Sequence, residues 1–193
     1  MTDRRTALLD AAVGEIAAHG TRGMRVEAVA AAAGVSTALI YHHFGDRSTF
    51  LREALEYIGH RAEAYTNPPD GTARAMLIEV LVDEIQDDPD VRTNSAAWGE
   101  LRDSAVFDDE LRPAIARLTQ RWIDDIAELV REGHADGSID PSVEPDAIGF
   151  ALSALVEGIS GRWLTNQIST DDGRSRIRTV TESLLDASPP PRG

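Results

Sequence analysis

Three side chains that can bind phosphate stand next to one another near the start of the chain. Tyr41, His42 and His43 lie within GVSTALIYHHFGDRSTF, residues 34–50. A tyrosine hydroxyl and imidazole rings can donate hydrogen bonds to phosphate oxygens. Glycines and capping residues on both sides predict that the trio lies on a helix of about two turns. The segment is therefore a candidate surface for binding a polyanion.

The residues around this trio predict a helix-turn-helix unit. Apolar spacing marks a helix over 26–33, and after a glycine-containing turn Ser36 is the expected cap of a helix over 37–43. Ile40 and Phe44, four residues apart, are expected to anchor the second helix on the core. In such a unit the first turn of the second helix enters the DNA major groove. Double-stranded DNA is the predicted partner.

Eight residues are predicted to contact DNA. Thr37 can hydrogen-bond a base edge, and the Ala38 methyl group can contact a thymine methyl group. The Tyr41 hydroxyl and the imidazoles are expected to bind phosphates, which fixes register without reading sequence. Asp46 is the expected cap of the next helix, which places backbone N–H groups and Arg47 near another phosphate. The full set is Arg25, Ser36, Thr37, Ala38, Tyr41, His42, His43 and Arg47.

The distribution of charge permits this interpretation. The chain of 193 residues has a net charge of −14, and all of its 19 basic residues are arginines. Residues 1–50 contain five arginines and five acidic residues, so the whole negative charge lies after residue 50. An acidic body discourages non-specific contact with polyanions except at the neutral end.

Several classes of function lack support in the sequence. The chain has no cysteine, which excludes disulfides, cysteine-based zinc sites and thiol chemistry. It contains no HExxH, GxSxG or phosphate-binding glycine loop, so no catalytic residue and no cofactor are predicted. His42 and His43 point about 100° apart on a helix, which makes a metal site there a poor interpretation. No apolar run has the length of a membrane span, and a cytoplasmic location is expected.

The rest of the chain predicts an all-α fold of about nine helices, because no alternating run is long enough for a strand. The predicted helices cover residues 4–18, 26–33, 37–43, 46–66, 72–87, 90–104, 109–135, 145–166 and 173–186.

The motif in the first 58 residues resembles the DNA-binding domain of the TetR (tetracycline repressor) family of bacterial regulators. The matching residues are Val29-Ala30, Ala33-Gly34-Val35-Ser36 and Ile40-Tyr41-His42-His43-Phe44, followed by Arg47 where the family has lysine. One departure is Met24-Arg25, where the family usually has two threonines, and Arg25 offers a charged contact instead. A second departure is Ala38, which is often glycine in the family.

The resemblance implies a three-helix DNA-binding domain over 1–46 and a helical ligand-binding and dimerisation domain over 47–187. Residues 188–193 are expected to be disordered. It also implies a ligand-responsive repressor that binds a pseudo-palindromic operator as a homodimer and is released by a small effector. An interaction protein that keeps the TetR fold without binding an operator remains the alternative. A small helical enzyme is the third class, and no catalytic constellation supports it.

Helix 145–166 is apolar nearly all round, which predicts that it is covered on more than one side. Its small residues would allow another helix to approach closely, and a symmetry mate is the expected partner. A central helix of a monomer is the alternative. The predicted interface is Ala151, Ala154, Leu155, Gly158, Gly161, Ile177, Val180 and Leu184.

The walls of an effector pocket are expected on helices 72–87, 90–104 and 109–135, beneath helix 46–66. Few polar groups lie on these stripes, so the effector is expected to be mainly apolar. The aromatic residues have plain core packing as the alternative interpretation. The predicted lining is Met76, Val80, Trp98, Leu101, Leu118, Trp122 and Ile126.

Overall fold

The structure is a computed structural model that describes residues 4–65 and 71–186. Over these residues the chain forms nine helices and no strand, which confirms the predicted fold class. The predicted disordered tail, 188–193, lies outside the described residues. The helices are α1 (Arg4–Gly23), α2 (Val26–Ala32), α3 (Thr37–Phe44), α4 (Arg47–Tyr65), α5 (Ala73–Val82), α6 (Pro89–Ser104), α7 (Arg112–Asp136), α8 (Pro145–Leu164) and α9 (Thr170–Leu185).

Local signals explain where the first three helices end. The backbone of Gly20 is not helical, so the regular part of α1 stops at the predicted position. Gly34, in the turn between α2 and α3, has φ of 67°, and Gly45, directly after α3, has φ of 76°. Residues with a Cβ rarely adopt these angles, so the two glycines fix the ends of the helix that carries the Tyr-His-His trio.

Several boundaries differ from the predictions, and two of them have a local explanation. α5 ends at Val82 rather than at residue 87, because acidic residues disfavour a helix C-terminus and Pro89 opens α6. α9 begins at Thr170 rather than at residue 173. Ser169 caps it, since its Oγ accepts a hydrogen bond of 3.1 Å from the backbone N–H of Asp172.

The chain divides into two compact units. Unit 1 comprises Met1–Glu63 and Asp88–Leu118. In unit 1 α1 packs against α2 and α6, and α2 packs against α3. Leu8 of α1, Leu55 of α4 and Leu101 of α6 are fully buried in one hydrophobic core. The three helices of the predicted DNA-binding domain, α1 to α3, therefore share their hydrophobic core with α6.

Unit 2 comprises Ala64–Asp87 and Thr119–Gly193. Here α9 packs against both α5 and α8. Arg178 of α9 pairs with Glu79 of α5 at 2.8 Å, and Arg174 donates to the Ile85 carbonyl oxygen at 2.9 Å. α7 and α8 approach closely at Gly149, where an added Cβ would lie 2.6 Å from the Ile123 carbonyl oxygen.

Candidate nucleic-acid interface

The candidate interface is the outer face of α3. Ile40 and Phe44 are buried in the core of unit 1, as their four-residue spacing predicts. Because they hold the inner face, Ala38 and Tyr41 are exposed, and Tyr41 keeps 50% of its surface open to solvent. Thr37, at the first position of α3, is half-buried. An exposed tyrosine beside a small methyl side chain suits contact with a nucleic-acid groove.

His42 and His43 extend this face toward the end of α3. Both are exposed, and their rings meet edge to face with 5.7 Å between the centroids. Both imidazoles lie in the last turn of α3. They can each donate a hydrogen bond to a phosphate oxygen without leaving the helix.

The residues before α3 and α4 behave differently as caps. Ser36 occupies the cap position of α3 with extended backbone, but its side chain makes no capping hydrogen bond, contrary to the prediction. Asp46 caps α4 as predicted, because its Oδ1 accepts a hydrogen bond of 2.8 Å from the backbone N–H of Thr49. That hydrogen bond holds the pKa of the Asp46 carboxyl group below its ordinary value. The Ser36 hydroxyl, exposed, is not used by the helix terminus.

Of the two residues that depart from the family pattern, Met24 and Arg25, the structure explains Met24. Met24 is buried in the core of unit 1, where a threonine would contribute less apolar surface. Arg25 is exposed immediately before α2, and its side chain makes no capping bond. The charged group therefore lies at the surface, at the start of the first helix of the helix-turn-helix unit.

Arg47 has a contact that the sequence did not predict. Its guanidinium Nη2 donates a hydrogen bond to the carbonyl oxygen of Thr21, at the end of α1. The Thr21 hydroxyl in turn hydrogen-bonds the Ser104 hydroxyl of α6. Arg47 thus fastens the start of α4 to the end of α1, and its remaining N–H groups are what it can offer to a phosphate.

A cleft of about 650 Å³ lies next to this contact within unit 1. Arg22, Arg47, Leu51, Glu100 and Phe107 are among the residues that line it. None of the seven predicted effector residues does so. This cleft is thus distinct from the predicted effector pocket.

The predicted effector residues divide between the two units. Leu101 and Leu118 of unit 1 belong to its core, and Trp98 packs against that core, so packing alone accounts for their burial. In unit 2, Ile126 is buried, and Met76, Val80 and Trp122 are half-buried. Glu84 of the same unit is half-buried as well, and the sequence did not predict it as a member of this region.

The predicted dimer residues of α8 mostly lie on one open stripe. Ala154, Gly158 and Gly161 are exposed, and Ala151 and Leu155 are half-buried beside them. Phe150 shares the stripe, with 66% of its surface exposed, although it was not predicted there. The sequence feature that could have predicted Phe150 is its four-residue spacing to Ala154, which is repeated from Ala154 to Gly158. Hence α8 carries an apolar face that the described part of its own chain leaves open.

Ile177 of α9 must be removed from the predicted interface. It is fully buried inside its own unit. The buried stripe of α9 runs through positions 173, 177, 181 and 185 at four-residue spacing. Val180 is exposed and Leu184 half-buried, and they lie off that stripe.

Residues 4–65 and 71–186 contain neither a candidate metal site nor a candidate membrane span. No group of three or more His, Asp or Glu side chains there is arranged to hold a metal ion. No helix in the same residues has the length and apolar character that a bilayer span needs.

Comparison with known proteins agrees with this architecture. Residues 8–54 match the family described as bacterial regulatory proteins, tetR family, and residues 69–187 match the family described as BetI-type transcriptional repressor, C-terminal. The HTH-type transcriptional regulator BetI of Escherichia coli O17:K52:H18 is 30% identical over 191 residues, covering 94% of this chain and 89% of that protein.

Two solved structures show the same fold. A protein from Rhodococcus sp. described as a TetR-family transcriptional regulator is 45% identical, with a TM-score of 0.90 over 96% of this chain and all of the other (100%). A protein from Saccharomonospora viridis described as a transcriptional regulator in complex with choline is 23% identical, with a TM-score of 0.79 over 94% of this chain and 97% of the other. The chain therefore belongs to the TetR family of bacterial transcriptional regulators, as a ligand-responsive protein that binds DNA through a helix-turn-helix unit.

Proposed function

We propose that this regulator is a repressor that binds a pseudo-palindromic operator as a homodimer and is released by a small effector. The observation that carries the DNA-binding part is the outer face of α3. Its inner face is fixed by Ile40 and Phe44, while Tyr41, His42 and His43 are exposed on a segment with the family motif. A rigid helix with an exposed polar face is the element that enters a major groove.

Within this proposal the DNA contacts have separate roles. Thr37 and Ala38 read base edges, because they lie in the first turn of α3. Tyr41, His42 and His43 bind phosphates and set the register. Ser36, Arg25 and Arg47 supply further backbone contacts. Each of these three residues is exposed and lies at or just before the start of a helix.

Dimerisation through α8 and α9 is supported by the open stripe on α8. Apart from the neighbouring residues and backbone of its own helix, Gly161 has no atom within 4 Å of where its Cβ would lie, and Gly158 meets only the end of the flexible Arg162 side chain at 3.6 Å. Nothing within the described part of the protomer therefore requires these positions to be glycine. Close approach of a second protomer's helix would require it.

The effector is proposed to bind in the C-terminal part of the chain and to be mainly apolar. Half-buried Trp122, Met76 and Val80 of unit 2 offer apolar surface. We propose that binding acts through α4, which is joined to α3 by only two residues, Gly45 and Asp46. A coupling free energy of about 1–3 kcal/mol would release the operator several-fold to a hundredfold.

We also propose that the protein acts as a DNA-binding regulator and not as an enzyme. Its proposed location is the cytoplasm, because the operator is there. The family matches at 8–54 and 69–187 support a division into a DNA-binding domain over 1–46 and an effector and dimerisation domain over 47–187. The alternative, an interaction protein without operator binding, has no observation in its favour.

The experiment is a mobility-shift titration with DNA from directly upstream of the protein's own gene, against an excess of unrelated DNA. We expect a specific complex, and footprinting should find two symmetric half-sites. Inserting about five base pairs between the half-sites should abolish the complex, because half a turn of DNA rotates one site away from the dimer. A chain that binds all DNA equally, or none, contradicts the proposal.

The effector is tested by adding candidate compounds to the preformed complex, beginning with choline and a set of neutral aromatic compounds. Release by the aromatic set alone supports a mainly apolar effector, and release by choline alone contradicts it. Trp122→Ala should keep operator affinity and lose the response. Trp163→Phe serves as the control, because Trp163 is fully buried and its Nε1 donates to Thr170 at 2.9 Å.

A further inference from the structure

Arg5, in the first turn of α1, touches both helices that border the Gly45 turn. Its guanidinium carbon lies 5.3 Å from the centroid of the Phe44 ring, in cation–π geometry. Its Nη2 also pairs with the Glu53 carboxylate of α4. One side chain therefore joins the start of α1, the last residue of α3 and the second turn of α4.

Phe44 is the residue through which this contact reaches the reading helix. It is the last residue of α3, and only 3% of its surface is exposed. The ring also lies 4.6 Å from the Phe50 ring, centroid to centroid. The last residue of α3 thus contacts both Phe50 and the Arg5 guanidinium, and it follows His43 directly in the chain.

The pair with Glu53 strengthens this arrangement. The Arg5 and Glu53 side chains keep 44% and 29% of their surface exposed, so the pair is half-buried rather than freely solvated. The carboxylate orients the guanidinium plane, and a planar guanidinium stacks on a ring in a way that a lysine ammonium does not. Arg5 therefore makes two contacts within its own protomer, one to the Phe44 ring and one to the Glu53 carboxylate.

We propose that Arg5 is a positioning residue of the reading helix, which holds α3 through Phe44 so that Tyr41 and His43 reach their phosphates. This inference rests on the proposed operator binding. A different role is open to an arginine at the start of α1, namely direct contact with a phosphate. The two roles predict different dependence of operator affinity on salt.

The test measures operator affinity from low to high salt for wild type, Arg5→Gln, Arg5→Lys and Arg4→Gln. Arg5→Gln should lose about three- to tenfold in affinity. Its slope of log K against log salt should stay that of wild type, because no phosphate contact is lost. Arg5→Lys should lose nearly as much operator affinity as Arg5→Gln. Lysine keeps the charge, but it lacks the planar guanidinium that stacks on the Phe44 ring. Arg4→Gln is the matched control, because Arg4 is an exposed neighbour with the same charge.

A double-mutant cycle with Tyr41→Phe separates positioning from general destabilisation. If Arg5 positions α3, Tyr41→Phe should cost clearly less in the Arg5→Gln background than in wild type. Additive losses, or unchanged affinity in Arg5→Gln, would overturn the proposal. A slope reduced by about 0.9 would also overturn it and would identify a phosphate contact instead.

If wild type binds no operator, the proposed function is wrong. The positioning role of Arg5 can still be tested by a measurement without DNA. Amide hydrogen exchange at the end of α3 should be faster in Arg5→Gln than in Arg4→Gln, while exchange in α9 should be equal. Equal exchange at the end of α3 in both variants would contradict the positioning role.

Discussion

The Tyr65 hydroxyl donates a hydrogen bond to the Glu84 carboxylate, with 3.4 Å between Oη and Oε2. Burial raises the pKa of Glu84 to about 7, the negative charge of Asp83 adds to the rise, and the hydrogen bond from Tyr65 opposes it. The folded chain therefore binds a proton between about pH 4.5 and pH 7 that the unfolded chain has already released. By linkage, this group lowers the free energy of unfolding as the pH rises through that window.

Glu84→Gln should remove this dependence. We expect the variant to be more stable than wild type at pH 8, by about 1–3 kcal/mol, because the buried charge is gone. At pH 4 the two should differ little. Urea unfolding of both proteins across this range measures the effect, with Glu132→Gln, at an exposed position of α7, as control. Parallel pH profiles of wild type and Glu84→Gln would show that Glu84 is not the titrating group.

Gly149→Ala should destabilise unit 2. The new Cβ would lie 2.6 Å from the Ile123 carbonyl oxygen, and this backbone atom cannot move aside as a side chain can. Overpacking of this kind costs about 1–3 kcal/mol. The control is Gly14→Ala in α1, where the added Cβ meets no atom within 4 Å beyond the neighbouring residues and backbone of its own helix.

Gly14→Ala should raise stability by up to about 1 kcal/mol, because alanine favours a helix over glycine. Both variants are compared by thermal or denaturant unfolding. An unchanged midpoint for Gly149→Ala would mean that α7 and α8 separate easily at this position.

Tyr41→Phe should weaken operator binding by about 1–2 kcal/mol, because it removes one hydroxyl from the exposed face of α3. A phosphate contact carries no sequence information, so the loss should be similar for every operator variant. Thr37→Ala is the contrasting change and should alter which base is preferred at one position of each half-site. Anisotropy titration against a set of single-base operator variants distinguishes the two patterns. Loss confined to one base position in Tyr41→Phe would assign it to base reading.

Ala154→Glu should produce folded protomers that no longer dimerise. Ala154 is exposed in the protomer, so the charge is tolerated there, but it would be buried without a partner in the proposed interface. Light scattering should show the molar mass of one chain, and operator binding should be lost with it. Ala116→Glu, the same change at an exposed position of α7, should leave the assembly intact. A wild type that is already monomeric would exclude the interface altogether.

The features that the sequence predicted are local ones. The Asp46 cap depends on a residue three positions away, and the burial of Ile40 and Phe44 depends on a spacing of four. Contacts between distant residues escaped prediction, because nothing in the local pattern of Arg47 or Arg5 identifies Thr21 or Phe44 as a partner.

The error at Ile177 has a related cause. Ile177, Val180 and Leu184 form one helical face by spacing. Ile177 also belongs to a second face, together with Gly173, Thr181 and Leu185. Because Thr181 is polar, the second face was the weaker signal, yet it is the one that is buried. The DNA-contact, effector and α8 assignments remain predictions that the variants above address.

The shared core of unit 1 has a consequence for building chimeric regulators. Ala97, Leu101 and Leu111 belong to the same buried cluster as the α1 and α4 residues, although they come from the second stretch of unit 1. A fragment ending at residue 65 would leave the apolar surfaces of α1 and α4 without that cover, and exposed apolar surface of this kind promotes aggregation. Residues 1–65 are therefore not expected to fold as an independent unit, and a chimeric regulator that takes its DNA-binding part from this chain must also include residues 88–118.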